Sequence, residues 1–177
     1  MAALVDEGLA RSIGVSNFDR PLIERCEAIR HVDSLQQEFS MLNLDDRELI
    51  RWCGEQGTGV VSYGPLAYGL LTGAITMDTR FDAEDHRSKD TRMFPPDPRR
   101  RSLAVVDGMR PIAERLGVTT AQLALAWNVH QPGVTAAIAG SRDPNHVRAN
   151  AAAGDVELDG QVLEELEALL SLGPAPR

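Results

Sequence analysis

Residues 12–18 read S-I-G-V-S-N-F: apolar Ile13 and Val15 around a glycine, then the polar pair Ser16–Asn17 and an aromatic. β-branched residues suit a pleated surface, whereas serine and asparagine favour turns, so the stretch reads as a short strand ending in a polar tip. The strand candidate covers Ala10–Val15. A helix over Arg20–Arg30 follows it, with Asp19 placed to cap and Pro21 in the first turn, where its missing N–H costs little.

That unit recurs. Ser34–Phe39 is a second short strand, and Asp46–Gln56 a helix with Asp45 and Glu48 spaced like a capping box and Gly57 as its stop. Gly59–Tyr63 (G-V-V-S-Y) is a third strand running into the turn-rich G-P-L-A-Y-G-L-L-T-G. Residues 74–100 then break the rhythm. They are rich in Asp, Arg and Pro with no apolar period, which predicts a long, mobile surface loop. Helical signals resume over Ser102–Leu116, where Gly108 and Pro111 predict a kink or break, and Gly117 ends the segment. Thr119 and Gln122 make a second capping box before Leu123, Ala126 and Trp127. Val134–Ala139 is the fourth strand, and G-S-R-D-P-N leads into a helix from about Asn145. A last helix, Gln161–Leu170, carries Val162, Leu163, Leu166, Leu169 and Leu170 on one stripe, and Pro174 and Pro176 close a frayed tail. Strands separated by helices imply an α/β fold of parallel strands with right-handed crossovers. Four such units fit either a small open sheet or half of an eight-stranded barrel.

A chain of 177 residues is long enough for one cored domain, taken as 1–177. Its 43% hydrophobic and 25% charged residues exclude a disordered class. The net charge of −8, spread along the chain, argues against a grip on nucleic acid. The one basic run, Arg99–Arg101, follows a proline-rich stretch and reads as a solvated loop or helix start. The first residues, MAALVDEGLARS, carry Asp6 and Glu7 and do not resemble a secretory signal. No stretch approaches the roughly 20 apolar residues of a membrane helix. Cys26 and Cys53 lack Cys-x-x-Cys spacing, so reduced structural thiols, no metal site and a cytoplasmic setting are expected.

In parallel α/β proteins chemistry gathers at the carboxyl ends of the strands. Here those tips are Ser16–Asn17, Gln36 to Ser40, Tyr63–Gly64 and Gly140–Ser141–Arg142. Taken singly, Ser16 and Asn17 could start a turn and help cap a helix, and Tyr63 could be core. Gln36 and Glu38 alternate with Gln37 and Phe39, so one pair would face the interior of a barrel. The fourth tip carries more chemistry. Gly140 permits close approach, the helix after it offers free N–H groups to an anion, and Ser141 and Arg142 suit a phosphate monoester. Together the tips suggest a nucleotide stretched across the strand ends.

Several stretches resemble the aldo-keto reductases. L-V-D-E-G-L-A-R-S-I-G-V-S-N-F is similar to the fifth-strand segment of that family and L-Q-Q-E-F-S to its sixth. V-V-S-Y-G-P-L-A-Y-G-L-L-T-G is similar to the seventh, and A-I-A-G-S-R-D-P-N-H-V-R-A-N to the eighth strand and adenine-binding helix. D-H-R-S-K and L-G-V-T-T-A-Q-L-A-L-A-W also resemble it. The resemblance implies strands 5–8 of a (β/α)8 TIM barrel, from a reductase of aldehydes and ketones that binds NADPH in extended form. By motif, Ser16, Asn17 and Gln36 would hold the nicotinamide carboxamide and Tyr63 would stack on its ring. The backbone of Gly64, Leu66 and Gly69 would line the pyrophosphate. Ser141 and Arg142, beside Gly140, would take the 2′-phosphate, and His146 and Asn150 would lie against adenine. Ala149 departs from a glutamate, and Gly64 from a serine, found in other members.

The family's catalytic Asp, Tyr, Lys and His belong to its first four strand–helix units, and their motifs do not occur here. Lys89 is the sole lysine, in the 74–100 segment. Hydride transfer to a carbonyl needs an acid for the developing alkoxide, and none is placed for it, so no catalytic residue is assigned. The expectation is an NADP(H)-binding portion that is inactive alone. The alternatives are a non-catalytic half-barrel serving assembly or regulation, or one chain of a split enzyme completed in trans. Open sheet edges and an inner face expected to be rich in Val, Ile and Leu predict a homo-oligomer or a complementary half-barrel partner.

Overall fold

Four parallel strands, β1 (Gly14–Ser16), β2 (Ser34–Glu38), β3 (Gly59–Tyr63) and β4 (Val134–Ile138), pair in the order β1-β2-β3-β4 in the computed structural model, which describes residues 1–173. The order never reverses, as it does in doubly wound sheets, so the sheet follows the course of a barrel wall. Parallel neighbours require crossovers, and helices supply them. The short helix α1 (Ala2–Asp6) precedes β1, α2 (Arg20–Glu27) links β1 to β2, and α3 (Arg47–Glu55) links β2 to β3. Two helices, α4 (Pro96–Leu116) and α5 (Thr120–Val129), lie between β3 and β4, and α6 (Pro144–Ala152) and α7 (Gly160–Leu170) follow β4.

Alternation along the strands sorts the two faces of the sheet. Leu35, Phe39 and Val60 are fully buried with Ile23 of α2, Ile50 of α3, Met109 of α4, Leu123 and Trp127 of α5, and Leu166 of α7. The rings of Phe39 and Trp127 stack at 5.6 Å. A buried amide fastens α5 to the sheet: Asn128 donates to the Phe39 carbonyl (2.9 Å) and accepts from the Ser62 hydroxyl (2.6 Å). The opposite face carries Ser16, Gln36, Glu38 and Tyr63, with Val61, Ala136 and Ile138 as its apolar share. The inner face is therefore more polar than expected, because the pleat spends Leu35 and Val60 on the helix side.

Local signals held where side chains could act within a few residues. Asp19 accepts the Leu22 N–H at 3.0 Å, and Thr119 and Gln122 exchange both bonds of a capping box. The box was expected with Asp45 at the cap, but α3 starts one residue later. The cap position of α3 is Asp46, whose carboxylate instead accepts from Gln37 Nε2 at 2.7 Å. Strand β1 is shorter and later than read.

The helix expected from Ser102 starts at Pro96 and runs unbroken to Leu116, with Gly117 at φ 69 as its stop. Gly108 is where α7 packs: a Cβ there would come within 2.5 Å of Leu169 Cδ2. Pro111 and Asp107 lie on the exposed side, so water can serve the carbonyl that the proline leaves unbonded. The intervening segment, 74–95, is pinned rather than merely superficial. Ile75, Met93 and Phe94 are buried in it, and Phe81 meets Phe94 edge-on at 5.1 Å. Cys26 and Cys53 are unpaired. Cys53 is fully buried, and burial first, then the charge of Glu27, pushes its thiol up to about 11, so it is inert at neutral pH. The expected frayed tail at Pro174 and Pro176 lies outside the described residues.

Among the ion pairs that join distant parts of the chain, one ties α3 to α7. Arg47 of α3 grips the Glu167 carboxylate of α7 with two nitrogens (2.8 and 2.6 Å), and Trp127 Nε1 adds a third donor at 3.3 Å. The Arg47 hydrogen bond holds the Glu167 carboxyl below its ordinary value. A depressed acid contributes stability above its unfolded pKa, about 4.3, and loses it as pH falls through the folded value. Glu167→Gln is expected to lower stability at pH 7, with the gap from wild type narrowing below about pH 4. Urea unfolding at pH 7 and pH 3.5 checks this; an undiminished gap at pH 3.5 would assign the effect to packing.

Candidate functional site

Two groups of side chains meet at the carboxyl edge of the sheet. The first spans β1, β2 and β3. Asn17 follows β1 at φ 56, a left-handed conformation that asparagine tolerates better than most residues. Its N–H donates to the Gln36 carbonyl (3.1 Å), and its side-chain oxygen accepts from the Tyr63 hydroxyl (3.0 Å). Ser16 and Gln36 are register partners, and both are exposed. Ser16, Asn17, Gln36 and Tyr63 are thus neighbours on the open face. Neither Ser16 nor Asn17 caps α2, since Asp19 does.

The second group lines a cavity of about 720 Å³ between the segment after β3 and the tip of β4. Gly64, Leu66 and Gly69 form one wall; Gly140, Ser141, His146 and Asn150 form the other. The first wall leads into the kinked 3-10 segment Ala67–Thr72, in which Ala67, Tyr68 and Gly69 have φ of 48, 54 and 99. Left-handed alanine and tyrosine cost roughly 1–2 kcal/mol each, and such strain clusters at ligand clamps. The Gly69 N–H is already bonded to the Leu66 carbonyl (3.0 Å), whereas the amides of Gly64 and Leu66 have no partner among the described residues.

On the second wall, a Cβ on Gly140 would meet nothing within 4 Å, so open space faces the backbone there. The helix begins at Pro144, a residue earlier than read, and Asp143 caps it by accepting the Asn145 N–H at 2.8 Å. An amide expected to be free for an anion is therefore taken by the helix's own cap. Ser141 Oγ accepts the Asp143 N–H at 3.1 Å and lies 3.5 Å from His146 Nδ1. Asn150 ties α6 to the strand end by donating to the Ala139 carbonyl (3.2 Å). Arg142 does not line the cavity. It is exposed beside Ser141 and makes no ion pair among the described residues.

The structure adds lining residues that local sequence patterns missed, chiefly Tyr68, Thr72 and Arg87. Arg87 comes from the 74–95 segment, where a run of charges read as a solvated surface; its only signal was the D-H-R-S-K stretch. It grips Asp85 with two nitrogens (Nη2 to Oδ2 2.6 Å, Nε to Oδ1 3.0 Å) and lies 4.4 Å over the Phe81 ring. Hydrogen bonding from Arg87 holds the Asp85 carboxyl at about 2. Among the described residues no carboxylate lines the cavity, and its one lining arginine, Arg87, is paired with Asp85. Ala149 lines it too, and its small side chain leaves room where a glutamate would stand.

The edge can therefore hold an extended ligand by amide and hydroxyl groups at one end and by backbone amides and arginines at the other. The residues present fit a dinucleotide. Proton donation is less well served. The Tyr63 hydroxyl is given to Asn17, and the Tyr68 hydroxyl to Glu38 Oε1 at 3.2 Å. Among the described residues no helix is long and apolar enough to cross a membrane.

Comparison with known proteins agrees with this architecture. The chain is 31% identical over 98% of its length to the "Probable voltage-gated potassium channel subunit beta" of Arabidopsis thaliana, and 30% identical over 97% to its namesake in Oryza sativa subsp. japonica. It spans about half of each, 56%. A glycerol dehydrogenase from Gluconobacter oxydans superposes with a TM-score of 0.89 at 25% identity, over 99% of this chain and 54% of that one. A thermostable aldo-keto reductase crystallised with the inhibitor epalrestat gives a TM-score of 0.70 at 26% identity, over 98% and 52%. The sequence profile of the aldo/keto reductase family matches residues 1–171. With that match over nearly the whole chain, and four sequential parallel strands that superpose on about half the length of both solved structures, the chain belongs to the aldo/keto reductase family and has the fold of half a (β/α)8 barrel.

Proposed function

We propose that this chain is the NADP(H)-binding portion of an oxidoreductase that reduces aldehydes or ketones. The observation that carries the reading is the pair of groups along one carboxyl edge: an amide and hydroxyl cluster at the tips of β1 to β3, continued by a cavity free of carboxylates at the tips of β3 and β4. A dinucleotide matches that order of chemistry. Ser16, Asn17 and Gln36 take the nicotinamide carboxamide, and Tyr63 offers its ring beside them. The free amides of Gly64 and Leu66 face the diphosphate, while Gly69 contributes its left-handed backbone rather than its N–H. Ser141 and Arg142 take the 2′-phosphate, Gly140 gives clearance, and His146 and Asn150 border the adenine. When bound, the dinucleotide supplies hydride; the residues of this chain orient it. A cytoplasmic setting suits the two unpaired thiols.

A second reading, a half-barrel that binds the dinucleotide without turnover and serves assembly or regulation, is favoured by the engaged tyrosine hydroxyls. The channel-subunit name of the plant relatives is compatible with it. A complementary chain completing the enzyme in trans would need an edge to join. Among the described residues β1 pairs only with β2 and β4 only with β3, leaving one side of each open.

Three measurements bear on these readings. Arg142→Ala should weaken NADPH on the order of tenfold or more and leave NADH little changed, since a charged hydrogen bond to phosphate is worth about 1.5–3 kcal/mol. Calorimetric titration of both cofactors decides it, and equal losses would remove Arg142 from the 2′-phosphate site. The purified chain should show no NADPH oxidation with a panel of aldehydes; measurable turnover would mean that an acid present here had been overlooked. Light scattering at micromolar concentration should give at least a dimer, and a monodisperse monomer would show that the open edges are protected within one chain.

A further inference from the structure

The two open edges of the sheet are unlike each other. Helix α1 leads into β1 and α6 follows β4, and neither has a buried residue, whereas α2, α3, α4, α5 and α7 all do. Leu4 and Leu9 are exposed on the way into β1; Ile138 at the end of β4 and Val147 on α6 are exposed at the other edge. The charges differ in sign. Residues 2–11 carry Asp6 and Glu7 against Arg11, and residues 140–152 carry Arg142 and Arg148 against Asp143, whose carboxylate is spent on capping α6. Asp6, Glu7, Arg142 and Arg148 are exposed and have no ion pair among the described residues. One flank of the sheet is thus bare, apolar and acidic, and the other bare, apolar and basic.

All four strands run parallel, so both edges point the same way, and a β1 strand set against β4 continues the wall in the sense it already has. A parallel barrel whose interior side chains just fill it takes about eight strands. Two copies supply them, the β1 edge of each meeting the β4 edge of the other, and no strand edge is left over. The helices agree with this arrangement. Gln122 Nε2 of α5 holds the Ala149 carbonyl of α6 at 3.2 Å, which fixes α6 to its own chain and leaves Val147 and Arg148 exposed. A helix that follows a strand covers the seam to the next strand, so α6 of one copy would cover the seam to β1 of the other. Leucines then meet Val147, and Asp6 and Glu7 share a flank with Arg148. Any other single partner would have to match both edges at once, with opposite charge at each; a second copy does so by symmetry.

We propose that two copies of this chain join edge to edge into one two-fold, eight-stranded parallel barrel, with α1 of each docked on α6 of the other. The dimer stands on the edges alone; its effect on ligand binding rests on the cofactor reading above. In a single chain the tip of β1 has a neighbour on one side only, Gln36 of β2. In the barrel the tip of the partner's β4 lies on its other side, and Gly140 and Ser141 of the partner subunit border Ser16 and Asn17. The amide and hydroxyl cluster thereby gains a second wall that its own chain does not supply. Dinucleotide binding and self-association are then linked, each strengthening the other.

Sedimentation equilibrium on the full chain tests the barrel. The wild type should be a dimer that grows no further with concentration, because closure uses both edges. Asp6→Lys with Glu7→Lys reverses the β1 flank, and Arg148→Glu reverses the β4 flank. Each variant alone should lose self-association on the order of tenfold or more, since like charges then face each other in both seams. An equimolar mixture of the two should recover it, because one seam then sets Lys against Glu and the other is native; recovery also shows that both variants fold. A monomeric wild type overturns the barrel, and so does a species that lengthens with concentration, in which the rotation between copies does not close. A dimer that responds to one reversal only marks contact between like edges and overturns it, as does a dimer that ignores both or a mixture that does not recover. Calorimetry with NADPH reads the shared site: affinity should fall in each variant and return in the mixture. Unchanged affinity in the dissociated variants removes the second wall, and a wild-type dimer that binds no NADPH removes the cofactor reading and leaves the barrel standing.

Discussion

Everything at the carboxyl edge depends on the two-residue period of four parallel strands packed on one face only. Leu35, Phe39 and Val60 must reach the helices, and burying each contributes roughly 1.5–3 kcal/mol. The same alternation forces Ser16, Gln36, Glu38 and Tyr63 onto the other face. A slip of one residue in β2 would exchange Gln36 with Leu35 and lose core and site together. Packing energy on the helix side therefore fixes the register of the polar side. Asn128 reinforces it from behind, because its bonds to Phe39 and Ser62 leave no room for a shift between β2 and β3.

On that scaffold the chain can carry local strain. The turn after β3 places alanine and tyrosine in left-handed backbone, a conformation that persists only where surroundings impose it. Ala67, Leu70 and Leu71 are buried under α4 and α5 and supply that imposition. The 74–95 segment is held in a similar way, by burial of Ile75, Met93 and Phe94 between stretches of polar residues. Rigid anchoring and an exposed, charged working surface are here properties of the same short segments.

The strands and their tips were legible because period and turn chemistry are local. Gly59–Tyr63 was read with its observed bounds, and Asp19 and the Thr119–Gln122 box act across three residues. The start of α4 was not legible, since Pro95, Pro96 and Pro98 look like loop punctuation although proline in a first turn is equally a start. Gly108 looked like a breaker because the reason for it, Leu169, lies 61 positions away. Arg87, and the tie between Glu38 and Tyr68, were hidden in the same way. The site's first cluster follows from strand order alone, but the place of Arg87 in the cavity wall depends on where a non-periodic segment is pinned.

The Arg47–Glu167 pair has a consequence for timing. Its partners are separated by 120 residues, and α7, which supplies Glu167 and packs Leu169 on Gly108, is the last helix described. At a synthesis rate of about 5–20 residues per second, α3 waits on the order of ten seconds for its counter-ion. Until then the apolar side of α4 and the guanidinium of Arg47 have no cover from that end. Parallel sheets already close slowly because their pairings are non-local. A newborn chain of this design thus leaves that side of its core uncovered until α7 has emerged, which makes the docking of α7 the step that shields it from other proteins.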